Sequence, residues 1–359
     1  MSDELTEEQL RARFERRVVP YFEDLREQAG GGSSWPPVLV YVGGQPGAGK
    51  SRANERAAQS RQALVPIIGD DLRQFHPDYA RLMRDDPLAM PGATAQASGR
   101  WIGMAADYLR EQRADVLIET TLRSPDAMAK TIASFREAGY VVELRTVAVP
   151  HEVSRLATVE RYVAQVEATG AGRWTPAAAH DEAYMRAGPT IEGLVQSGSV
   201  DHFVIEDRTG VVSFDRSYFG VRDAGLQQAG REAGAAFERA RSIDHMTPAA
   251  ARSWIELARD QIERVRGLGQ QDPDLLSTVE RIGTTDARAV VARAYPEEPA
   301  RASAAAMTLS AAARAASTGP SAAGASYPQP PRAGSQRGSS PRYRGPAMPD
   351  RGSGLEPGM

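Results

Sequence analysis

Gly44, Gly49, Lys50 and Ser51 stand at the spacing G-x-x-x-x-G-K-[ST]. That spacing suits the holding of a nucleotide's phosphates. Glycines let backbone N–H groups curl into a nest around phosphate oxygens. The whole run Gly44-Gln45-Pro46-Gly47-Ala48-Gly49-Lys50-Ser51 would line that nest. A helix opening at its end aims a positive terminus at the same phosphates. The Lys50 ammonium can reach the β- and γ-phosphates, and the Ser51 hydroxyl can ligate Mg²⁺. A glycine-rich turn can match such a pattern by chance. The context argues otherwise, because five β-favouring residues, Val38–Val42, run into the turn and a helix-compatible stretch, Arg52–Arg61, follows it.

Acidic residues recur at equivalent places. Asp70 follows the apolar run Leu64–Ile68, and Glu119 directly ends Val116-Leu117-Ile118. An aspartate after a strand is ordinarily a turn former or a helix cap. Asp70 and Asp71 offer both roles, one facing the nucleotide and the other capping a helix expected near Leu72. Phosphoryl chemistry also needs positive charge opposite the nest. Arg155 and Arg161, on a helix expected over 152–167, and Arg173, in Gly170–Trp174, are candidates. Residue type alone does not choose among them, since most surface arginines are simply solvated.

The elements that must position these groups alternate. Strands are expected at Val38–Val42, Leu64–Ile68, Val116–Ile118 and Val141–Val149, with helices over 100–112 and 125–138 between them and one over 152–167 after the last. One helix is expected from Thr175-Pro176 to about Met185 and a separate one over 190–197, then a hairpin from His202–Glu206 and Val211–Phe214. Such alternation implies an α/β fold, a mostly parallel sheet covered by helices on both faces, with ligands at the carboxyl ends of the strands. Before it, residues 6–27 have the periodicity of an amphipathic helix or a kinked pair, opened by a capping box at Thr6–Gln9 and interrupted at Pro20.

Composition narrows the classes. The chain has 359 residues, a formal net charge of −3 and no cysteine. Disulfides, thiolate catalysis and cysteine-ligated zinc are excluded. No overall field favours nucleic acid or membranes. The acidic start, Met1–Gln9, lacks the apolar core of a signal peptide, and no apolar run reaches spanning length. The expectation is a soluble cytoplasmic protein with no nucleic-acid or membrane partner.

Taken together these segments resemble the zeta-toxin family of P-loop kinases, over about residues 38–215. The phosphate loop is shared with countless nucleotide-binding proteins. More specific are Asp70 with His76-Pro77, Glu119-Thr120-Thr121-Leu122-Arg123, Glu160-Arg161-Tyr162, and Arg173-Trp174-Thr175-Pro176 with His180-Asp181, in this order. The resemblance implies a P-loop kinase fold and a kinase that uses ATP and Mg²⁺ to phosphorylate the sugar 3′-hydroxyl of UDP-N-acetylglucosamine, normally blocked by a small antitoxin. It places Asp70 as the base for the sugar hydroxyl, Lys50 and Ser51 on the phosphates and Mg²⁺, and Arg161 and Arg173 as the clamp on the transferring phosphate. Glu119, Thr121 and Arg123 fall on the acceptor side. The sequence departs from the family at Gly103, where the family carries an acceptor-side glutamate, and at Thr120 and Leu122, which replace glycines. These differences bear on the acceptor more than on the reaction. Other hydroxyl acceptors (another nucleotide sugar, a nucleoside, a dinucleotide, an antibiotic) and a non-catalytic nucleotide-binding regulatory module remain alternatives.

The expected organisation is an N-terminal helical segment and linker over 1–34, the kinase domain over 35–220, a helical extension over 221–298 and a low-complexity, mostly disordered tail over 299–359. Every candidate residue lies between Gly44 and Arg173, so a chain ending near Arg222 is expected to keep catalysis.

Overall fold

The computed structural model describes residues 4–61, 63–269 and 272–318. The strands are β1 (Val38–Gly43), β2 (Val65–Ile67), β3 (Val116–Thr120), β4 (Val141–Val147), β5 (His202–Glu206) and β6 (Val212–Ser217). They form one six-stranded sheet in the order β2-β3-β1-β4-β5-β6. Only the β5–β6 hairpin pairs antiparallel. Leu39, Tyr41, Val116, Ile118, Val142 and Leu144 join the apolar cluster on one face, while Val38, Val40, Val42 and Leu117 join that on the other. Both faces are therefore covered, which is why these strands read as continuous apolar runs. From β1 the chain passes to β2 at the edge, returns to β3 beside β1, then crosses to β4 on the other side. The crevice at that reversal opens at the carboxyl end of β1. Register pairs Val42 with Glu119 and Gly43 with Thr120, so Glu119 lies beside the strand end that feeds the phosphate loop.

The N-terminal segment is α1 (Glu7–Arg13) and α2 (Val19–Gln28), joined by a π turn over Phe14–Val18. Thr6 and Gln9 close the expected capping box. Pro20 sits in the first turn of α2, where a missing N–H costs little. Leu10, Phe14, Val18 and Phe22 are buried in the main core with Trp101 and Leu109. The helices that follow are α3 (Lys50–Ser60), α4 (Gly69–Leu72), α5 (Tyr79–Asp85), α6 (Met90–Ala93), α7 (Ala95–Glu111), α8 (Pro125–Glu137), α9 (His151–Thr169) and α10 (Ala177–Gln196).

α10 departs from the expected pair of helices by running straight through Gly188-Pro189. A Cβ on Gly188 would lie 2.1 Å from Glu238 Oε1, the far end of a flexible side chain on the next helix. That helix is α11 (Ala224–Ala240), and α12 (Pro248–Gly267), α13 (Pro273–Arg281), α14 (Ala287–Ala294) and α15 (Pro299–Thr318) follow. Thr247 and Asp272 cap α12 and α13 with their side chains.

Two further differences concern the later chain. Ala229, Ala233, Ala236 and Phe237 of α11 are buried in the main core, so a boundary near residue 220 cuts through packed structure. Residues 299–318, read with the tail, form α15, whose Leu309 and Ala313 are buried against the helices before it. Residues 319–359, the rest of that tail, lie outside the described residues. The second core cluster unites Leu156, Val159, Tyr162 and Val163 of α9 and Trp174 with Trp254, Ile262, Val279 and Val290 of the extension. Arg155 is buried against Asp286, its NH1 donating to both carboxylate oxygens at 2.6 and 2.7 Å. A chain ending near Arg222 would lose the Asp286 carboxylate and leave Arg155 its contact with Asp181 at 3.1 Å. Among the described residues no helix is long and apolar enough to cross a membrane.

Candidate active site

The phosphate loop leaves β1 at Gly43 and ends in the first residue of α3. Gly47 and Gly49 have φ of 77° and 101°, which only glycine adopts without strain. Gly47 is also a close approach, since a Cβ there would lie 2.1 Å from the Ser154 carbonyl oxygen. Gln45 is fully buried, and its amide nitrogen donates to Val149 O at 3.0 Å and to Ser154 Oγ at 3.1 Å. The loop is thus fastened to the start of α9. Gly49 caps α3 and offers no side-chain acceptor to the first-turn N–H groups. A helix start so arranged fits an anion.

Lys50 folds over this loop. Its ammonium donates to Gly44 O at 2.9 Å and Gln45 O at 3.3 Å, and it lies 3.7 Å from Glu119 Oε1. Burial holds its pKa below the ordinary lysine value; Glu119 and Asp70 oppose that shift, and Arg161 adds to it. The other Glu119 oxygen accepts from Asn54 Nδ2 at 2.8 Å. Asn54 follows Lys50 by one helical turn on the same face, a spacing visible in the sequence. Ser51 is exposed at the opening of α3.

Asp70 lies on the short α4, after β2. Its Oδ2 accepts from Arg173 NH2 at 2.7 Å and its Oδ1 from Arg73 Nε at 3.2 Å. Burial alone would raise its pKa, but Arg173, Arg73 and Arg161 together pull it below the usual aspartate value. Arg73 is itself held, donating through NH1 to Pro91 O at 2.6 Å and Thr94 Oγ1 at 2.7 Å. Asp71 corrects an expectation. α4 already begins at Gly69, its N-cap is Ile68, and no side chain caps it. Asp71 instead feels burial, Asp70 and Glu119, which raise its pKa.

Arg161, on α9, donates to Thr175 Oγ1, and its Nε is buried without a partner. Burial and the Arg173 charge lower its pKa, opposed by Asp70 and Glu119. It stays a cation at any working pH. The backbone N–H of Arg173 donates to Gln165 Oε1 at 2.8 Å. The fold therefore gathers Lys50, Asp70, Glu119, Arg161 and Arg173 from five separate elements into one electrostatic group. Arg155, the remaining arginine candidate, is taken up by Asp286 and by Asp181 at 3.1 Å.

Thr121 and Arg123 form a separate pair on the loop after β3. Arg123 Nε donates to Thr121 Oγ1 at 3.1 Å, and its NH1 lies 3.6 Å from Glu182. Between them Leu122 adopts a φ of 59°, unusual for a branched residue, with its N–H bonded to Thr120 Oγ1 at 3.1 Å. Its buried side chain occupies the space where a Cβ on Gly43 would meet Leu122 Cδ1 at 2.9 Å. Gly103 lies exposed on α7, and a Cβ there would meet nothing within 4 Å.

Asn54 and Arg73 are not among the candidates above, although helical spacing from Lys50 and Asp70 points to both; Thr175 stands in the Arg173-Trp174-Thr175-Pro176 segment, but its contact with Arg161 has no local signal. Ser154 Oγ, His180 Nε2 (2.8 Å) and the His180 Nδ1–Asp181 Oδ1 contact (3.0 Å) have the connectivity of a hydrolytic triad. Ser154 is completely buried and also bonds Pro150 O and His151 O, so the group is a brace rather than a nucleophile.

A parallel sheet with a phosphate loop after its central strand, followed by a helix opening on Lys50, defines the P-loop kinase fold. The Zeta toxin family model matches residues 26–218, over half of the chain, and the chain belongs to that family. Toxin PezT of Streptococcus pneumoniae is 34% identical over 131 residues, 36% of this chain and 52% of that one. Toxin zeta of Enterococcus hirae is 28% identical over 202 residues, 56% of this chain and 70% of its own. The match thus spans about half the length of the pneumococcal relative. The solved structure of the PezAT chromosomal toxin–antitoxin system of S. pneumoniae superposes with a TM-score of 0.58 at 21% identity, covering 74% of this chain and 98% of that chain. At that identity the likeness establishes the fold.

Proposed function

We propose that the protein is an ATP- and Mg²⁺-dependent kinase that phosphorylates a sugar hydroxyl, with the 3′-hydroxyl of UDP-N-acetylglucosamine as the first acceptor to test. The observation that carries this reading is the meeting of Asp70 and Arg173 at 2.7 Å, within electrostatic reach of the Lys50 ammonium. A base, a phosphate-binding cation and a guanidinium facing the transferring phosphate are the parts phosphoryl transfer needs. The nest over Gly44–Ser51 and the uncapped start of α3 fit a triphosphate. Mg²⁺ keeps several waters and takes few protein ligands, so the exposed Ser51 hydroxyl suits it, and the metal would neutralise charge on the phosphates. Asp70 accepts the hydroxyl proton. Arg173, which now bonds Asp70, and Arg161 turn their N–H groups to the transferring phosphate. Glu119 orients Lys50. Thr121, Arg123 and the loop around them face the acceptor. The family and the PezAT assembly support an antitoxin as the protein partner.

A second reading keeps the reaction and changes the acceptor. Exposed Gly103 leaves open space where the family carries a carboxylate, and Leu122 stiffens a loop that is glycine-rich in the family. Both favour a hydroxyl compound of another shape. The test is incubation with ATP, Mg²⁺ and a panel of nucleotide sugars, nucleosides, dinucleotides and antibiotics, read by phosphate mass gain. Lys50→Ala is expected to lower the gain by about 10²–10³-fold, the range for losing one preorganised donor. Retained fold should be visible as unchanged circular dichroism. An unchanged rate in that variant would remove the phosphate-loop assignment.

The Lys50 environment adds a pH signature. A lowered ammonium pKa means the free enzyme loses that charge at a pH below the ordinary lysine value. Bound triphosphate supplies negative charge and moves the loss back upward. The alkaline limb of kcat/KM, which reports the free enzyme, is expected at lower pH than that of kcat. Coincident limbs would mean that Lys50 does not meet the nucleotide.

A further inference from the structure

The segment 170–176 that carries Arg173 has little regular structure of its own, yet its bonds are specific. A Cβ on Gly172 would lie 2.7 Å from Tyr162 O, so the segment lies tight on α9. Trp174 is buried, edge-on to Tyr162 with ring centres 5.8 Å apart. Its indole N–H donates to Asp274 Oδ2 at 2.7 Å, and the same oxygen accepts from the Ala177 N–H at 2.9 Å. Ala177 is the first residue of α10, and the N-cap there is Pro176, whose side chain has no acceptor. Asp274, on α13 of the C-terminal extension, therefore caps a helix of the kinase fold from outside it. A carboxylate at a helix N-terminus meets the positive end of its dipole. One atom thus fixes both ends of the four-residue stretch Trp174–Ala177 that directly follows Arg173.

A second arm reaches the phosphate loop. Arg281 of α13 donates to Asp181 at 2.7 Å, Arg155 joins Asp181 to Asp286, and His180 and Ser154 carry the chain to Gln45. The extension grips the arginine side of the site and the nest together.

We infer that the C-terminal helices are a cis-acting part of the catalytic apparatus, and that Asp274 is a positioning residue that aims Arg173. The inference rests on the kinase reading above. A reacting group misplaced by about 1 Å can cost about 10²-fold in rate. Asp274→Ala in the full chain is therefore expected to lower kcat by about that factor, leaving KM for ATP near its wild-type value. Asp274→Asn keeps a carbonyl oxygen that can accept both N–H groups, and should recover most of the loss. Trp174→Phe removes one donor while keeping the ring, and should fall between the two. Amide hydrogen exchange supplies a readout that needs no acceptor: Asp274→Ala should speed exchange at Ala177 and leave β1 protected. Unchanged protection at Ala177 overturns the inference whatever the activity. Arg173→Ala serves as reference. If it loses transfer while Asp274→Ala and Trp174→Phe keep wild-type kcat, the positioning role is overturned and the kinase reading stands. If wild type transfers phosphate to no acceptor, the kinase reading itself fails, and the claim that Asp274 serves catalysis fails with it.

Discussion

Asp70→Asn is expected to lower turnover by about 10²–10⁴-fold, the usual contribution of a positioned base. The amide cannot accept the hydroxyl proton, and it removes the anion that Arg173 and Arg73 now bond. ATP affinity should barely change, because in the proposed function Lys50 and the loop would hold the phosphates without Asp70. Its lowered pKa carries a further consequence with a definite sign. The carboxylate is ionised at any pH above the ordinary aspartate value, so the acid limb of kcat/KM should not come from Asp70. Asp71→Asn gives the contrast. Asp71 caps nothing, and its raised pKa reflects burial and the neighbouring Asp70 and Glu119 charges. Its effect should be much smaller than that of Asp70→Asn. Steady-state kinetics of the two variants decides between them, and a larger loss for Asp71→Asn would move the base by one residue.

What could be read in the sequence follows from how local each cause is. The phosphate loop is legible because one contiguous run supplies the glycines, the ammonium and the helix start. Asp70 and Glu119 are legible as strand ends, since parallel strands announce themselves by unbroken apolar runs. Arg161 and Arg173 are different. Their partners, Thr175 and Asp70, are set by folding rather than by spacing, and only the family resemblance singles them out from Arg155, whose charge is spent on Asp286. The later chain misleads for a related reason. Gly188-Pro189 looks like a break because proline removes an N–H, yet the helix continues through it, packed along α11. α15 looks like tail because alanines make a faint apolar stripe. Its Ala313 packs where a Cβ on Gly283 would come within 2.4 Å, a close approach that only the partner helix explains. Asp274, Arg281 and Asp286 look like ordinary surface charges until their partners more than 90 positions away are known.

Arg173→Lys and Arg161→Lys are expected to lower the rate of the chemical step by about 10³-fold or more, the lower end of what an arginine clamp supplies. The comparison with lysine tests geometry, since charge is kept in both variants. A guanidinium is a planar fork that can bridge two oxygens; an ammonium is a point charge. Arg161 has one N–H partner in Thr175, while its Nε is buried with none. Leaving such a donor unpaired costs about 1–3 kcal/mol. A phosphate oxygen would relieve that cost, most of all when the transferring group spreads its charge. In the proposed function Arg173 would exchange its bond to Asp70 for one to phosphate, which would tie release of the base to arrival of the clamp. Both effects belong to the transition state, so ATP binding should be nearly unchanged while single-turnover rates fall. Stopped-flow or quench-flow transfer measured at saturating ATP reads this directly. Wild-type single-turnover rates in the lysine variants would show that position-insensitive charge is enough, and the clamp would have to be given up.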